Sequence, residues 1–317
     1  MAFLIACRTR AELFAAKMRA LAPGLDLRIA PDVGSAEDID TALAWLPQPG
    51  LLASLPNLKL IVSVGAGVDA LLQDATLPAD VPLVRFVDPD LTGRMVEYIV
   101  LHVLYHHRRM AELRELQARR VWQAYVPEPT AGEVRVGLMG LGVLGSAAAR
   151  VLGALGYRLN GWSRTPKALD GVTCFSGTDG LEPFLADTDI LAVLLPLTPE
   201  TRGILNRGLF AKLSTRGRSP LLAGPVLINA GRGGLQVDAD IAAALAVGEL
   251  AAASLDVFET EPLPATSPLW QHPRVVVTPH NAAESNPAAI ARYAYSQMRA
   301  LHDGRSLGNL VDRERGY

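Results

Sequence analysis

Short apolar runs alternate with stretches of helical spacing along the whole chain. The first series begins with FLIAC at Phe3 and an Ala/Leu/Met stretch from about Ala11, then continues with LDLRIA at Leu25, ALAWL at Ala42, LKLIVSVGAGVD at Leu58 and PLVRF at Pro82. Gly93 to Trp122 follows without an internal Gly or Pro and predicts one long helix, ending before Pro127 and Pro129. A second series comprises VRVGLMG at Val134, RLNGWS at Arg158, ILAVLLP at Ile190, PVLINAG at Pro225, AAASLDVF at Ala251 and RVVVTPH at Arg274. NPAAIARYAYSQMRALHDG then reads as a closing helix. Apolar strands separated by helices predict parallel sheets with crossover helices, an α/β class. Two such series in tandem predict two doubly wound units. The stretch STRGRSPLLAG, Ser214 to Gly224, reads as a loop because it carries two Gly and one Pro.

Composition narrows the function classes. The 317 residues, 50% hydrophobic and 20% charged, suffice for two domains with ample cores. Thirty Lys and Arg against thirty-two Asp and Glu leave a net charge of -2, without the broad basic field that holds nucleic acid or an anionic membrane. Neither partner is expected. Cys7 and Cys174 form no C-x-x-C pair, so no disulfide framework or thiolate zinc site is expected, and a reducing cytoplasm fits. The apolar run from Phe3 to Cys7 is too short for a signal peptide and is followed by Arg8 and Arg10, which predicts a soluble, unprocessed protein.

Gly140-Leu-Gly142-Val-Leu-Gly145 lies between a predicted strand and the Ala-rich SAAARVLGALG, the context that turns G-x-G-x-x-G into a dinucleotide motif. The first glycine permits a tight turn, the second admits a pyrophosphate to the backbone, and the third lets helix and strand close up. About twenty residues further on, an acid would bind the adenosine ribose hydroxyls and repel a 2′-phosphate. NGWSRTPK has none; it offers Ser163, Arg164 and Thr165, with Lys167 nearby. A planar guanidinium and two hydroxyls suit a phosphate, so NADPH is the preferred cofactor, with NADH possible.

Three segments at the ends of predicted strands carry candidate chemistry: LINAGRGG with Arg232, LDVFETEPLP with Asp256 and Glu261, and VVVTPHNAA with His280. With SVGAGVD at Ser63, the glycine loop, LLPLTPET at Leu194, SPLWQHPRV at Ser267 and the closing VDRERGY, the whole chain resembles the D-isomer-specific 2-hydroxyacid dehydrogenases, in particular their NADPH-favouring glyoxylate/hydroxypyruvate reductase branch. The resemblance implies that His280 is the general acid, that Glu261 orients it, and that Arg232 holds the substrate carboxylate and polarises the ketone. It implies further that Ala66 and Gly67 offer backbone N–H groups to that carboxylate, and that Asp256 lies near the nicotinamide carboxamide. Gly140, Gly142, Val143, Leu144, Gly145, Ser163, Arg164, Thr165, Pro196 and Ala230 are then the cofactor contacts. The implied fold is a flavodoxin-like substrate domain, residues 1–98 plus 285–317, and a Rossmann domain, residues 99–284, with hydride transfer in the cleft. The implied assembly is a homodimer, and the implied reaction is reduction of glyoxylate or hydroxypyruvate.

Two other readings stand beside this one: reduction of a bulkier 2-keto acid, and a non-catalytic NAD(P)-sensing binding protein or corepressor. His102 and His106 have the i, i+4 spacing of a metal pair, but no third ligand accompanies them. No metal is expected, and a solvated or domain-facing helix side accounts for them. Trp45 and Trp122 read as packing or interface residues, with Trp122 a pocket wall by resemblance. The Ser214–Gly224 loop is longer than the family pattern, and Asn281 and Glu284 are more polar than usual after the histidine.

Overall fold

The computed structural model describes residues 1–317 except 125, 126, 315 and 317. Arg315 and Tyr317 of the closing VDRERGY run therefore lie outside the described residues. The chain forms two compact units, Met1–Leu91 with Glu284–Tyr317, and Thr92–Ala283.

The first unit is built on β1 (Ala2–Cys7), α1 (Ala11–Leu21), β2 (Asp26–Ile29), β3 (Ile39–Trp45), β4 (Leu60–Ser63), α2 (Asp69–Leu72) and β5 (Leu83–Arg85). Its sheet runs β2-β1-β3-β4-β5, with every pairing parallel. All six residues of β1 and all four of β4 are buried, as expected of strands covered on both faces. In α1, Phe14, Ala15 and Met18 share one face and are buried, while Glu12 and Arg19 sit where each favours the helix dipole.

The predicted long helix is two helices. α3 (Pro89–His107) and α4 (Met110–Ala118) are separated by Arg109, whose φ of 53° is left-handed and breaks the hydrogen-bond ladder without help from Gly or Pro. The histidines of α3 are not solvated: His102 and His107 are buried, His106 Nε2 lies 2.8 Å from Ser254 Oγ, and His107 bridges the Tyr157 hydroxyl and Pro129 O. Among the described residues no cluster of three or more metal-ligating side chains occurs.

The second unit continues with β6 (Arg135–Met139), α5 (Val143–Ala154), β7 (Arg158–Ser163), β8 (Val172–Ser176), α6 (Gly177–Ala186), β9 (Ile190–Val193), α7 (Arg207–Phe210), β10 (Val226–Asn229), α8 (Asp238–Val247), β11 (Ala252–Leu255) and β12 (Val275–Val277). The sheet order is β12-β11-β10-β9-β6-β7-β8, again wholly parallel. The order reverses between β6 and β9, the switch point at which open α/β sheets bind ligands. β8 is a strand that the apolar pattern does not announce. Separate apolar clusters include Met139, Phe184, Phe210 and Leu255 in one, and Val136, Leu138, Leu152 and Ile228 in the other. The chain then returns to the first unit as α9 (Pro287–His302), capped by the Asn286 side chain and packed on α1.

The Ser214–Gly224 loop has a structural task. Ser214, buried and left-handed, donates to Asp189 Oδ1, and the Arg216 carbonyl accepts from Arg135. Arg135 in β6 is itself buried, and its Nε donates to Asp189 Oδ2 at 2.9 Å. The loop thus closes over an ion pair at the amino end of the sheet, opposite the strand ends that carry the site.

Candidate active site

The glycine loop lies where β6 ends at the switch point. Gly140 has a φ of 117°, a conformation that L side chains avoid. A Cβ on Gly145 would sit 1.9 Å from the Gly140 carbonyl oxygen, so only glycine lets α5 start this close to the strand. Gly142, by contrast, has open space where a Cβ would be. Helix geometry leaves the N–H groups of Val143, Leu144 and Gly145 without intrahelical acceptors, and Val143 is 58% exposed. Open backbone, uncommitted donors and the positive end of a twelve-residue helix fit a pyrophosphate.

The end of β7 fits a phosphate on the adenosine ribose. Ser163 is buried and its hydroxyl donates to Thr165 O at 2.8 Å, which tightens the turn. Arg164 and Thr165 are exposed immediately beyond the strand. Pro196 follows β9 and accepts from Thr201 Oγ1 through its carbonyl; Ala230 follows β10 and is buried.

Arg232 sits on a turn that its neighbours leave little freedom. Asn229, fully buried, donates to Gln236 Oε1 at 2.7 Å and to Arg232 O at 3.3 Å, and accepts from Gly231 N. Gln236 donates in turn to Val257 O at 3.0 Å, tying this turn to the segment after β11. The Arg232 guanidinium donates to Gly231 O at 2.8 Å. These buried amides satisfy one another, and Gln236 Nε2 also donates to Asp238 Oδ1 at 2.7 Å, so the turn is fixed from several sides.

The segment after β11 carries Glu261. Its Oε1 accepts from Phe258 N at 3.0 Å, and its Oε2 lies 2.8 Å from His280 Nδ1. Partial burial alone would raise the Glu261 carboxyl. The bonds from His280 and the Phe258 amide, with the positive charges of His280 and Arg232, outweigh burial and hold it below the usual carboxylate range. An ionised carboxylate has no proton to give, so Nδ1 of His280 is the donor and Nε2 is left for another partner. Nε2 is then the nitrogen that takes up a proton and, in the imidazolium, can give it as a general acid.

Asp256 is placed behind this pair. It is 2% exposed; Oδ1 accepts from Thr278 Oγ1 at 2.6 Å and from Asn281 N at 3.0 Å, and Oδ2 accepts from Ala282 N at 3.1 Å. Its carboxylate anchors the loop that presents His280. After His280, the backbone N–H of Asn281 donates to Asp256, and Glu284 pairs with Arg10 at 2.9 Å within the first unit.

In the first unit, Ala66 and Gly67 lie on the bend after β4, held where Ser63 Oγ donates to Gly65 O. A Cβ on Gly65 would meet the Trp45 ring at 3.0 Å, so Trp45 is a packing residue of this bend. Trp122 is 94% exposed. The residues that sequence reasoning passed over are Asn229, Gln236, Thr278 and Tyr98, whose contribution is hydrogen bonding behind the charged groups. The only signal for the first three was their place in the strand-end segments, and Tyr98 gave none.

A dinucleotide cradle beside a carboxylate-oriented histidine and a fixed arginine defines a nicotinamide-dependent oxidoreductase acting on small acids. The profile of the D-isomer specific 2-hydroxyacid dehydrogenase NAD binding domain matches residues 100–282. Glyoxylate/hydroxypyruvate reductase A from Yersinia enterocolitica is 42% identical over 289 residues, which covers 90% of each chain, and its namesake from Serratia proteamaculans is equally similar, with the same identity and coverage. Among solved structures, an NADPH-dependent glyoxylate/hydroxypyruvate reductase from Sinorhizobium meliloti, in complex with NADP and sulfate, superposes with a TM-score of 0.93 at 43% identity, covering 100% of this chain and 99% of that one. A D-isomer specific 2-hydroxyacid dehydrogenase from Xanthobacter autotrophicus Py2, in complex with NADPH and MES, gives 0.91 at 42%, with the same coverage. The chain belongs to the D-isomer-specific 2-hydroxyacid dehydrogenase family.

Proposed function

We propose that the protein reduces glyoxylate or hydroxypyruvate to glycolate or D-glycerate with NADPH, as the names and bound cofactors of its relatives suggest. The observation that carries the mechanism is the 2.8 Å bond between His280 Nδ1 and Glu261. The nicotinamide, when bound, supplies hydride to C2 of the keto acid. Arg232 pairs with the substrate carboxylate and draws electron density towards the ketone oxygen. The backbone N–H groups of Ala66 and Gly67 are further donors to that carboxylate. His280, protonated, gives its Nε2 proton to the same oxygen as the carbonyl becomes a hydroxyl, and Glu261 stabilises the cation until the proton leaves. Gly140 to Gly145 would hold the pyrophosphate, Pro196 and Ala230 would line the cofactor's path, and Arg164 and Thr165, on the turn that the Ser163 hydroxyl tightens, would take the 2′-phosphate. NADH, lacking that phosphate, is the weaker cofactor.

The second unit, Thr92–Ala283, is the cofactor domain and the first is the substrate domain. A cytoplasmic homodimer fits, with α3 and α4 at its interface: Leu101 is 60% exposed and Leu113 40% exposed on these helices. Among the described residues no helix is long and apolar enough to cross a membrane. NADPH oxidation followed across glyoxylate, hydroxypyruvate, pyruvate and phenylpyruvate tests the reading. The first two should give the highest kcat/KM, while NADPH binding without turnover of any 2-keto acid overturns it. H280A should lose most turnover and keep its NADPH affinity.

A further inference from the structure

His280 adopts a φ of 54°, a left-handed conformation that a residue other than glycine holds only when its surroundings impose it. The imposition comes from Asp256, whose backbone carbonyl accepts from His280 N at 2.8 Å while its side chain takes the next two amides, Asn281 N and Ala282 N. What holds Asp256 is therefore what holds His280. One side-chain bond does so: Thr278 Oγ1 donates to Asp256 Oδ1 at 2.6 Å. A threonine hydroxyl has a single proton, and this one is committed, so the Tyr98 hydroxyl 2.9 Å away must donate to Thr278 rather than accept from it. The order is fixed as Tyr98 to Thr278 to Asp256 to the backbone of residues 280–282.

Tyr98 belongs to α3 and is 180 residues from Thr278 in sequence. It is buried, with its ring 4.2 Å from that of His102, so packing alone would be served by phenylalanine. Among the described residues, the hydroxyl's hydrogen-bond partner is Thr278. We propose that Tyr98 is a positioning residue for the reduction: through Thr278 and Asp256 its hydroxyl fixes the backbone that aims His280 at the ketone. The inference rests on His280 as the proton donor. A chain of hydrogen bonds acts as a unit, since each donor polarises the next, and losing an inner link disables the outer one.

The test is steady-state kinetics of Y98F, T278V, T278S and the Y98F/T278V pair, with H280A alongside. T278V keeps the shape of threonine and removes the link; its kcat should fall about tenfold, and that of Y98F about threefold, with KM for NADPH unchanged in both. T278S, which restores the hydroxyl, should recover most of the loss. The double variant should be no slower than T278V, because Tyr98 acts only through Thr278. The proposal is overturned if T278V turns over like the wild type, if T278S is as slow as T278V, or if the two losses multiply. Should H280A retain turnover, the assignment of His280 fails and the brace with it. Loss in H280A without loss in T278V defeats the brace alone.

Discussion

Gly233 and Phe258 touch backbone to backbone: a Cβ on Gly233 would lie 1.8 Å from the Phe258 carbonyl oxygen and 2.8 Å from its nitrogen. That same Phe258 nitrogen donates to Glu261, and Gly233 directly follows Arg232. Arg232, the proposed substrate-binding arginine, and Glu261, the carboxylate bonded to His280, are therefore registered against each other through one glycine. G233A forces the two segments apart, because neither clashing atom is the end of a flexible side chain. Its kcat/KM for glyoxylate should fall by at least about a hundredfold, the scale of a small misplacement of reacting groups. NADPH affinity, set at α5 and β7, should change little. A G233A enzyme within tenfold of wild type would show that the registration is unimportant.

Replacing Glu261 by Gln removes the charge and keeps the shape. The amide oxygen can still accept from His280 Nδ1, which keeps the ring oriented at the expense of the bond from Phe258 N, but nothing stabilises the cation that must deliver the proton. E261Q should lose about tenfold to a hundredfold in kcat, within the range of general acid catalysis, with KM for NADPH unchanged. Stopped-flow NADPH oxidation with saturating hydroxypyruvate is the measurement. Wild-type turnover in E261Q would reduce the carboxylate to an orienting role.

On the proposed reading, Arg164 carries the cofactor preference through a charge that NADH does not meet. R164A should lower the NADPH to NADH ratio of kcat/KM by at least about tenfold, since a charge-assisted pair is worth roughly 1.5 to 3 kcal/mol. The loss should fall on KM for NADPH, and the wild-type preference should weaken at high salt. A ratio that stays put in R164A would transfer the task to Lys167 or the hydroxyl of Thr165.

How far the chain is legible depends on whether a signal is local. The glycine loop and the Arg232 and Glu261 segments each follow an apolar run that is almost wholly buried, and the His280 segment follows the apolar VVV of the edge strand β12, so order along the chain translates directly into position at the strand ends. β8 is different: VTCFS is a short edge strand, only partly buried, and although Val, Thr and Phe suit a strand, Thr and Ser break the apolar run that marks the others. The break at Arg109 leaves no trace because the left-handed residue is an arginine where glycine would have announced it. Thr278 sits inside a quoted motif, yet its partner Tyr98 is a helix residue 180 positions away, and no periodicity connects them. The same distance explains the buried histidines. The i, i+4 spacing of His102 and His106 gives a shared face, but what that face meets is a matter of tertiary packing.

Those histidines make stability depend on pH. Burial withholds water from the charged form and pushes His102 down to about 4, against the opposing pull of Asp256. His106 is pushed down to about 3 by burial and then by His102. Above about pH 6.5 both are neutral whether the chain is folded or not, and stability is flat in this respect. Between pH 6.5 and 4 the unfolded chain binds protons that the folded chain excludes, so stability falls as pH drops, by about 3 kcal/mol for His102 alone at pH 4. Tm measured from pH 8 to pH 5 should be level and then decline. H106Q, which keeps a donor towards Ser254 and cannot titrate, should decline less steeply. Parallel curves for the two proteins would show that His106 is not among the groups responsible.

The pair Arg135–Asp189 sets the cost of disturbing the other end of the sheet. Asp189 has no exposed side-chain surface and Arg135 has 3%, and two guanidinium bonds join them, Nε to Oδ2 and Nη2 to Oδ1. Asp187 takes the remaining Nη1, with the Arg216 carbonyl, so every face of the guanidinium is engaged. Two desolvated charges gain little net stability from each other, but removing one strands its partner. D189A should therefore cost about 3 to 5 kcal/mol in urea denaturation. R135L/D189L, which leaves no fully buried charge unpaired although the Ser214 hydroxyl and the Arg135 N–H lose their acceptor, should recover much of that loss despite removing more bonds. The Ser214–Gly224 loop separates this account from simple bond counting. It is tethered through Ser214 to Asp189 and through Arg216 to Arg135, so the double variant should free the loop and become sensitive to proteolysis at Arg216 or Arg218 while remaining stable in the core. A double variant as unstable as D189A would mean that the bonds themselves, rather than a stranded charge, hold β6 to β9.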